Sequence, residues 1–423
     1  MKLADRGYQT VMGAAMKVMP TYRQDMIAGP GTVEQIPWLL RENKKFRPMI
    51  VTGPRVSQTD FFEKIRKSIP EAVVFSDVEP DPTTETVEKI MVMFREHSCD
   101  SFVAVGGGSN MDAAKAAAAG LVRPGKKLTR LAGILKIRGT IPYFIAVPTT
   151  AGTGSECTVS AVITDSETGR KFAISDPALC PYVAILDPDL TASLPREVVA
   201  HTGMDALTHA VEAYLNWWYH KRKTPKLCLA AVHDVMLYLP FVYEDSSSVG
   251  ARQKMLMASY RAGQAFSTAC VGNIHAIAHA IGGTYHLPHG YVNAVLLPVV
   301  LEDYGRRARK LLADLGRISG CQGDNRKKLA EAFIAKIRDM NDMMEIPRTI
   351  PEIREEDMDR IAEWAVKEAN PLYPVPVIYG KEDVKRILRA ISEPAPANGE
   401  ELPEGVEPAP ADDEDIPEMR TEE

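Results

Sequence analysis

The sequence SFVAVGGGSNMDAAKAAAAG, residues 101–120, contains the local signals that determine the class of fold. The apolar run 101–105 predicts a buried β-strand, and the alanine-rich part after the glycines predicts a helix. Between them lies a tight turn formed by Gly106, Gly107, Gly108 and Ser109. Glycines allow a ligand to approach the backbone closely, and the N–H groups at the start of a helix suit a pyrophosphate. A strand, a glycine turn and a helix in this order predict an α/β nucleotide-binding unit.

The glycine turn alone does not separate a phosphate site from a structural turn, because Met111 occupies the last glycine position of G-x-G-x-x-G. A second loop strengthens the nucleotide interpretation. The apolar run YFIAVP (143–148) leads into TTAGTGSECT (149–158), which is rich in hydroxyls and glycines. In open α/β sheets, nucleotides bind at the carboxyl ends of the strands. Two polar loops after two strands are harder to explain as plain connections than either loop alone.

Strands and helices alternate through the first half of the chain. Further strands are predicted at 48–53, 72–75 and 183–187, and helices near 56–68, 83–98 and 110–120. This alternation predicts a mostly parallel sheet covered on both faces. Beyond about residue 190 only helical periodicity is found. We expect four segments: an N-terminal helical extension (1–25), an α/β dinucleotide-binding domain (26–190), an all-helical metal and substrate domain (191–392) and a disordered acidic tail (393–423).

The charge of the chain is concentrated in its tail. The formal net charge is −6, yet residues 393–423 contain twelve acidic residues and one basic residue, so the rest of the chain is net positive. A segment rich in Pro, Glu and Ala cannot bury a core. No basic cluster indicates nucleic acid, and no apolar run is long enough to predict a transmembrane helix. Six scattered cysteines without a CxxC pair argue against disulfides and favour the cytoplasm. Residues 6–19 predict an amphipathic helix packed on the first domain.

Histidines and one aspartate recur at helical spacing in the second half. Asp205 and His209 lie four apart in GMDALTHAVEAY, His275 and His279 lie four apart in NIHAIAHAIGG, and His289 follows in HLPHG. An i,i+4 pair projects from one face of a helix. Two facing helices and the loop histidine would offer one carboxylate and several imidazoles to one cation, which suits Zn²⁺ or Fe²⁺ better than Ca²⁺ or Mg²⁺. By sequence alone, a surface Asp–His contact and a core histidine remain open alternatives.

Four segments occur in an order that resembles the iron-containing, group III alcohol dehydrogenases. They are GGGSNMDAAK, PTTAGTGSE, GMDALTHAVEAY and HAIAHAIGGTYHLPHG, within a resemblance that covers roughly residues 26–392. The resemblance implies a dehydroquinate synthase-like architecture, with a metal between a nucleotide domain and a helical domain. It also implies hydride transfer between NAD(P)(H) and a small primary alcohol or aldehyde, and a homodimer or larger oligomer.

The resemblance assigns roles to individual residues. The implied metal ligands, for Fe²⁺ or alternatively Zn²⁺, are Asp205, His209, His275 and His289. His279 is implied to relay the proton of the alcohol, and Ser160 and Phe266 to line the substrate pocket. The implied cofactor-binding residues are Gly106, Gly107, Gly108, Ser109, Thr149, Thr150, Thr158 and Lys171.

Two positions depart from the family. The first strand ends in Gly53 with Arg55 nearby, where many relatives have an aspartate that would repel a 2′-phosphate. A nearby arginine can pair with that phosphate, so we expect NADP(H) to be accepted, with the preference between NADP(H) and NAD(H) left open. Asp81 stands where relatives often have asparagine, which adds a negative charge near the cofactor.

Three alternatives to an alcohol dehydrogenase are compatible with parts of the sequence. Glycerol dehydrogenases use zinc on a similar scaffold, and dehydroquinate synthases use NAD and zinc in a lyase reaction. A dehydroquinate synthase must bind a carboxylate and a phosphate, but no Lys or Arg occurs between Ala262 and Asn293, which favours a small neutral substrate. The third alternative is a catalytically silent scaffold whose acidic tail docks to a partner. The intact metal and nucleotide motifs argue against it.

Overall fold

The computed structural model describes residues 2–18 and 24–392. A parallel sheet flanked by helices forms the first part of the chain, and a bundle of helices forms the second. The predicted fold class is therefore confirmed. The predicted acidic tail (393–423) and the end of the predicted extension (19–23) lie outside the described residues.

The first part contains all the strands that the described residues form. The strands are β1 (Asp25–Ala28), β2 (Pro48–Val51), β3 (Val73–Phe75), β4 (Ser101–Gly106), β5 (Gly133–Ile134), β6 (Tyr143–Pro148), β7 (Ser160–Thr164), β8 (Lys171–Ser175) and β9 (Val183–Leu186). The helices of this part are α1 (Lys2–Val18), α2 (Ile36–Glu42), α3 (Asp60–Ser68), α4 (Thr84–Glu96) and α5 (Gly108–Val122).

Six strands form the main sheet in the order β1-β9-β6-β4-β2-β3, and every pairing is parallel. The chain leaves β2 for β3 on one side and returns to β4 on the other. The strand order therefore reverses beside β2 and β4, and ligands bind in the crevice at such a switch point. Both polar loops follow strands of this sheet at its carboxyl edge, which is where a nucleotide is expected.

All five predicted strands are present, but four others were missed. β1 is a short edge strand, while β5, β8 and β7 form a separate three-stranded sheet in that order. β7 and β8 pair antiparallel as a hairpin, and their residues are mostly half-buried. Short, half-exposed strands lack the continuous apolar run that identified the buried strands, since their pairing partner supplies much of their stability.

The helical part forms one continuous apolar core. Its helices are α6 (Arg196–Leu215), α7 (Thr224–Glu244), α8 (Val249–Ala269), α9 (Asn273–Tyr285), α10 (His289–Tyr304), α11 (Arg309–Ile318), α12 (Arg326–Met343), α13 (Glu355–Ala369) and α14 (Lys381–Ser392). Within the described ranges, α7 alone has the length and apolar composition of a membrane span, and 50% of its most apolar window is buried. It packs between α6 and α8, as a core helix of a bundle does.

The N-terminal helix packs differently from its prediction. α1 contacts the helical part, where a Cβ on Gly13 would lie 2.7 Å from the Trp218 carbonyl oxygen. Tyr8 and Val11, two apolar residues of this helix, are 41% and 70% exposed. The prediction of packing on the first domain is therefore wrong. Amphipathic spacing identifies a helix but does not specify its partner, and the buried contacts of α1 are polar ones.

A buried lysine fixes the second polar loop. Lys115 on α5 is fully buried, and its Nζ donates to the backbone oxygens of Ser155, Thr158 and Ser160 at 2.5, 3.0 and 3.1 Å. It also donates to the side-chain oxygens of Ser155 and Thr158. Burial lowers the pKa of Lys115, and the nearby Asp112 carboxylate opposes that shift. The ammonium thereby ties the loop after β6 to the helix after the glycine turn.

Replacing Lys115 with methionine should destabilise the protein by at least about 3 kcal/mol, because three buried carbonyls would lose their donor. Urea unfolding of Lys115→Met against wild type measures this loss. Lys64→Met, at an exposed position of α3, is the matched control and should change stability by less than about 0.5 kcal/mol. Equal stability of the two variants would contradict the assigned role of Lys115.

Candidate metal centre

Three of the predicted ligands converge on one point between α6, α9 and α10. The ligand atoms of Asp205, His275 and His289 all lie within 4.8 Å of one another. The Nε2 atoms of His275 and His289 are each 3.5 Å from Oδ1 of Asp205. Asp205 and His275 are almost completely buried, whereas the His289 side chain is 29% exposed on the cleft side. A carboxylate and two imidazoles in this arrangement form a donor set suited to a divalent transition metal.

His209 lies beside this group, with its Nδ1 3.8 Å from Asp205 Oδ1. Its ring stacks on His275 on one side, at 4.3 Å between centroids, and on Phe266 at 4.2 Å. Nδ1 is buried and has no hydrogen-bond partner. A buried nitrogen without a partner is costly, and a cation beside Asp205 would remove that cost. The residues present therefore fit a metal, and His209 as a fourth ligand stays a prediction.

His275 is oriented by a residue that the sequence analysis missed. Its Nδ1 lies 2.6 Å from Glu212 Oε2, and the Glu212 carboxylate also accepts the backbone N–H groups of Gly272 and Ile274. Carboxylates in this position fix the tautomer of a ligating histidine. Glu212 lies seven residues after Asp205, which places it on the same face of α6. That spacing was visible in GMDALTHAVEAY.

Asn293 is a second residue that was missed. It lies four residues after His289 on α10, and its Nδ2 donates to Asp205 Oδ1 at 2.9 Å. The same nitrogen lies 3.2 and 3.0 Å from Nε2 of His275 and His289. Its Oδ1 is buried without a partner. The Asn293 amide is therefore in contact with three of the predicted ligands and helps to hold them together.

The charges in the centre favour an ionised Asp205 and a protonated His275 beside neutral His209 and His289. Burial alone would raise the pKa of Asp205, but the three histidines around it lower that pKa below its usual range. Burial lowers the pKa of His209 to about 3 and that of His289 well below its usual range. Burial also disfavours protonation of His275, yet hydrogen bonds to Asp205 and Glu212 raise its pKa to about 9. A cation that binds His275 must displace that proton, so metal affinity should fall as the solution becomes more acidic.

His279 lies one turn after His275, toward the edge of the centre. Its ring stacks on His289 with 5.0 Å between centroids, and its side chain is 20% exposed. Its Nδ1 lies 2.7 Å from Glu368 Oε1, and that oxygen also accepts the Tyr373 hydroxyl at 3.0 Å. When Nδ1 donates to Glu368, Nε2 remains free to accept a proton. Glu368, on α13, was not identified from the sequence because it lies 89 residues from His279.

The glycine turn lies at the carboxyl end of β4, as predicted. Gly106 has a φ of +150°, and a Cβ there would lie 2.1 Å from Asn110 Oδ1, so this position requires glycine. Gly107 precedes the first turn of α5, which begins at Gly108, and the Ser109 hydroxyl accepts the N–H of Asp81 at 3.4 Å. This arrangement leaves the start of α5 at the sheet edge where a pyrophosphate is expected.

Three of the other predicted cofactor residues, Thr149, Thr150 and Thr158, lie in the polar loop after β6. The Thr149 N–H donates to the Gly106 oxygen at 3.0 Å, and Thr150 lies against Gly107. Thr158 is buried, and its hydroxyl is engaged by Lys115, so its place in the structure is that of a loop anchor. The positions of Thr149 and Thr150 bring the two polar loops together.

Lys171 extends from β8 toward the helical part. A Cβ on Gly282 of α9 would lie 3.6 Å from Lys171 Nζ, and the lysine is only 11% exposed. Its ammonium pairs with Asp81 at 2.7 Å, so the departure at Asp81 is balanced by a charge partner. Ser160 lies at the start of β7, where its hydroxyl bonds that of Ser175 at 2.8 Å. The hairpin thus brings Lys171, but not the Ser160 hydroxyl, between the two parts of the chain.

Comparisons with known proteins agree with this arrangement. The model of the iron-containing alcohol dehydrogenases matches residues 23–188, and the model of the C-terminal part of that family matches residues 199–392. The chain belongs to the iron-containing alcohol dehydrogenase family. The resemblance inferred from the sequence is therefore confirmed, as is the prediction of an enzyme that is an NAD(P)-dependent alcohol dehydrogenase.

Individual relatives of this family cover nearly the whole chain. A NADPH-dependent butanol dehydrogenase of Clostridium saccharobutylicum is 33% identical over 88% of this chain and 97% of its own length. A NAD-dependent methanol dehydrogenase of Bacillus methanolicus is 33% identical over 81% of this chain and 91% of its own. The solved structure of an alcohol dehydrogenase from Oenococcus oeni is 32% identical, covers 88% of this chain and 99% of its own, and has a TM-score of 0.84.

Replacing Glu212 with glutamine should lower the affinity for the metal by about 10- to 100-fold, because the tautomer and orientation of His275 would no longer be fixed. Competition titration against a chelator, with zinc as the probe, measures that affinity. Glu197→Gln is the matched control, since Glu197 lies exposed in the first turn of the same helix. An unchanged metal affinity in Glu212→Gln would contradict the role assigned to Glu212 in orienting His275.

Proposed function

We propose that this protein is a metal-dependent alcohol dehydrogenase and aldehyde reductase acting on a small, neutral primary alcohol or aldehyde. The observation that carries the proposal is the convergence of Asp205, His275 and His289 on one point, with Lys171 close to Gly282 on α9, the helix that carries His275. The metal is Fe²⁺, with Zn²⁺ as the alternative, held by those three residues and His209. A divalent metal bound there would supply Lewis acidity, which lowers the pKa of an alcohol, and a nicotinamide cofactor would supply the capacity to take up or donate hydride.

The residues of this chain orient the reactants and move the proton. The Glu212 carboxylate holds His275, and the Asn293 amide holds Asp205. His279, hydrogen-bonded to Glu368 through Nδ1, accepts the proton of the alcohol at Nε2. When His279 gains a proton at Nε2, the proton on Nδ1 can pass to Glu368. Glu368 is 31% exposed, so it can release a proton to solvent. His279 thus acts as a general base for oxidation and as a general acid for reduction.

The cofactor is proposed to span the cleft from the glycine turn to α9. Its pyrophosphate would lie at Gly106, Gly107, Gly108 and Ser109, beside Thr149 and Thr150. Lys171 lies between the glycine turn and α9, where an ammonium can bind the hydroxyls of the nicotinamide ribose. Thr158 does not contact the cofactor in this proposal; it anchors the polar loop after β6 by accepting a hydrogen bond from Lys115.

The substrate pocket is proposed to be small and uncharged. Phe266 stacks on His209 and would form an apolar wall beside the centre, whereas the Ser160 hydroxyl is bonded to Ser175 and is left out of the proposed pocket. The absence of Lys and Arg between Ala262 and Asn293 disfavours an anionic substrate. A cytoplasmic location and a homodimer or larger homo-oligomer complete the proposal.

Loss of one ligand should remove both the metal and the activity. Asp205→Asn and His289→Ala should lose more than about 99% of turnover with short aldehydes, because each leaves an incomplete donor set. Protein purified without oxygen should contain close to one equivalent of iron or zinc, measured by elemental analysis. The control is His97→Ala, because His97 is exposed at the C-terminal end of α4 and far in sequence from the predicted ligands. Full turnover after exhaustive chelation would contradict the proposal.

NADPH should serve at least as well as NADH. A Cβ at Gly53 would lie 2.9 Å from the Val78 oxygen, so the repelling aspartate of many relatives does not fit there. Arg55 is exposed beside this position and is available to a 2′-phosphate. Arg55→Ala should raise the KM for NADPH by about tenfold and leave that for NADH unchanged. Side-by-side assays with Lys64→Ala as the control test this, and a strong preference of the wild type for NADH would overturn it.

A further inference from the structure

A proline-rich loop, residues 371–380, links the metal centre to the N-terminus. It connects α13 to α14, and its sequence PLYPVPVIYG forms neither helix nor strand. Backbone carbonyls without such partners need donors from elsewhere. In this loop they are side chains: Tyr219 donates to the Leu372 oxygen at 3.0 Å, and Asn273 donates to the Val377 oxygen at 2.9 Å. The loop is therefore held by its surroundings rather than by its own backbone.

Helix α1 provides further donors to this loop. Gln9 Nε2 donates to the Tyr373 oxygen at 2.7 Å, and Gln9 is fully buried. Arg6 donates to the oxygens of Val375 and Pro376 at 2.7 and 2.9 Å. The Arg6 guanidinium also bonds Gln9 Oε1 and lies 4.6 Å from the centre of the Trp218 ring. Two polar side chains of α1 thus bind three backbone oxygens of the loop.

The same loop is connected to His279 through Tyr373, which lies beside Glu368. The Tyr373 oxygen that Gln9 binds belongs to the residue whose hydroxyl donates to Glu368 Oε1. That carboxylate oxygen also holds Nδ1 of His279. A continuous series of hydrogen bonds therefore runs from α1 through Tyr373 and Glu368 to the imidazole.

An apolar role explains α1 less well. Leu3, Tyr8 and Val11 are 90%, 41% and 70% exposed, so these three apolar residues bury little surface, while Met12 and Met16 are half-buried. Its buried side chain is the polar Gln9. A helix that serves only to cover a core would present its apolar face to that core. Besides its packing on Trp218, α1 directs the hydrogen bonds of Arg6 and Gln9 at the backbone of one loop.

We propose that α1 is a positioning element for the active site, in which Gln9 and Arg6 fix the 371–380 loop and thereby hold the His279 ring through Tyr373 and Glu368. The inference rests on the proposed function and adds a role for residues that precede position 23, where the match to the family model begins. Gln9 and Arg6 are positioning residues, since they touch neither substrate nor cofactor.

The test compares Gln9→Ala and Arg6→Gln with wild type in the full-length, metal-loaded enzyme. Each should lower kcat/KM for a short aldehyde by about tenfold, because a small displacement of a catalytic group is costly, with metal content unchanged. Val11→Ala, at an exposed position of the same helix, should match wild type. In a His279→Ala background, Gln9→Ala should cause no further loss, because the group that it positions is absent. An additional tenfold loss in that background, or an unchanged kcat/KM in both single variants, would overturn the proposal.

A second measurement does not depend on turnover. In zinc-loaded protein labelled with ¹⁵N-histidine, the His279 resonances, assigned by comparison with His279→Ala, should show the Nδ1–H tautomer. Gln9→Ala should shift them toward a mixture of tautomers, whereas identical spectra would overturn the inference. If the wild type reduces no aldehyde with either cofactor, the proposed function fails. A change of tautomer in Gln9→Ala would still support the positioning role.

Discussion

The attraction between one buried carboxylate and the imidazoles around it is the constraint on which the site depends. Asp205 is 2% exposed, and a carboxylate so far from water requires compensating partners. Those partners come from other helices: His275 from α9 and His289 from α10, each 3.5 Å from the same oxygen. The arrangement of three helices is thus coupled to the chemistry of one charge. A metal bound there would neutralise that charge, so metal binding and the stability of the bundle should be linked.

Around that charge, each important side chain is held by a neighbour on a different element. Glu212 holds His275 and Glu368 holds His279, while Lys115 holds the loop that approaches the cofactor site. In two of these cases a carboxylate determines which nitrogen of a histidine carries the proton. Such control matters because only the other nitrogen can then bind a cation or accept a proton. The surrounding residues therefore contribute to the chemistry without contacting the reactants.

The parallel-sheet part and the helical part of the chain each contribute different groups to the proposed site. The parallel sheet presents helix α5 and its glycine turn at the carboxyl edge, and the bundle presents the histidines. Lys171 lies between them, paired with Asp81 on one side and close to Gly282 on the other. Its hairpin lies outside the main parallel sheet, yet it extends from the nucleotide-binding part toward α9. The N-terminal helix adds a third contribution, because it binds the loop behind His279 rather than either core.

The sequence alone determined the class of fold and the ligand types. Buried strands such as YFIAVP and the i,i+4 spacing of His275 and His279 depend on local periodicity, which the chain displays directly. The i,i+7 spacing of Asp205 and Glu212 was equally visible. Only the tertiary structure decided that Glu368 orients His279 and that α1 binds the 371–380 loop. Those contacts join residues 89 and more than 360 positions apart, and their geometry follows from how helices pack, which no local pattern of residues specifies.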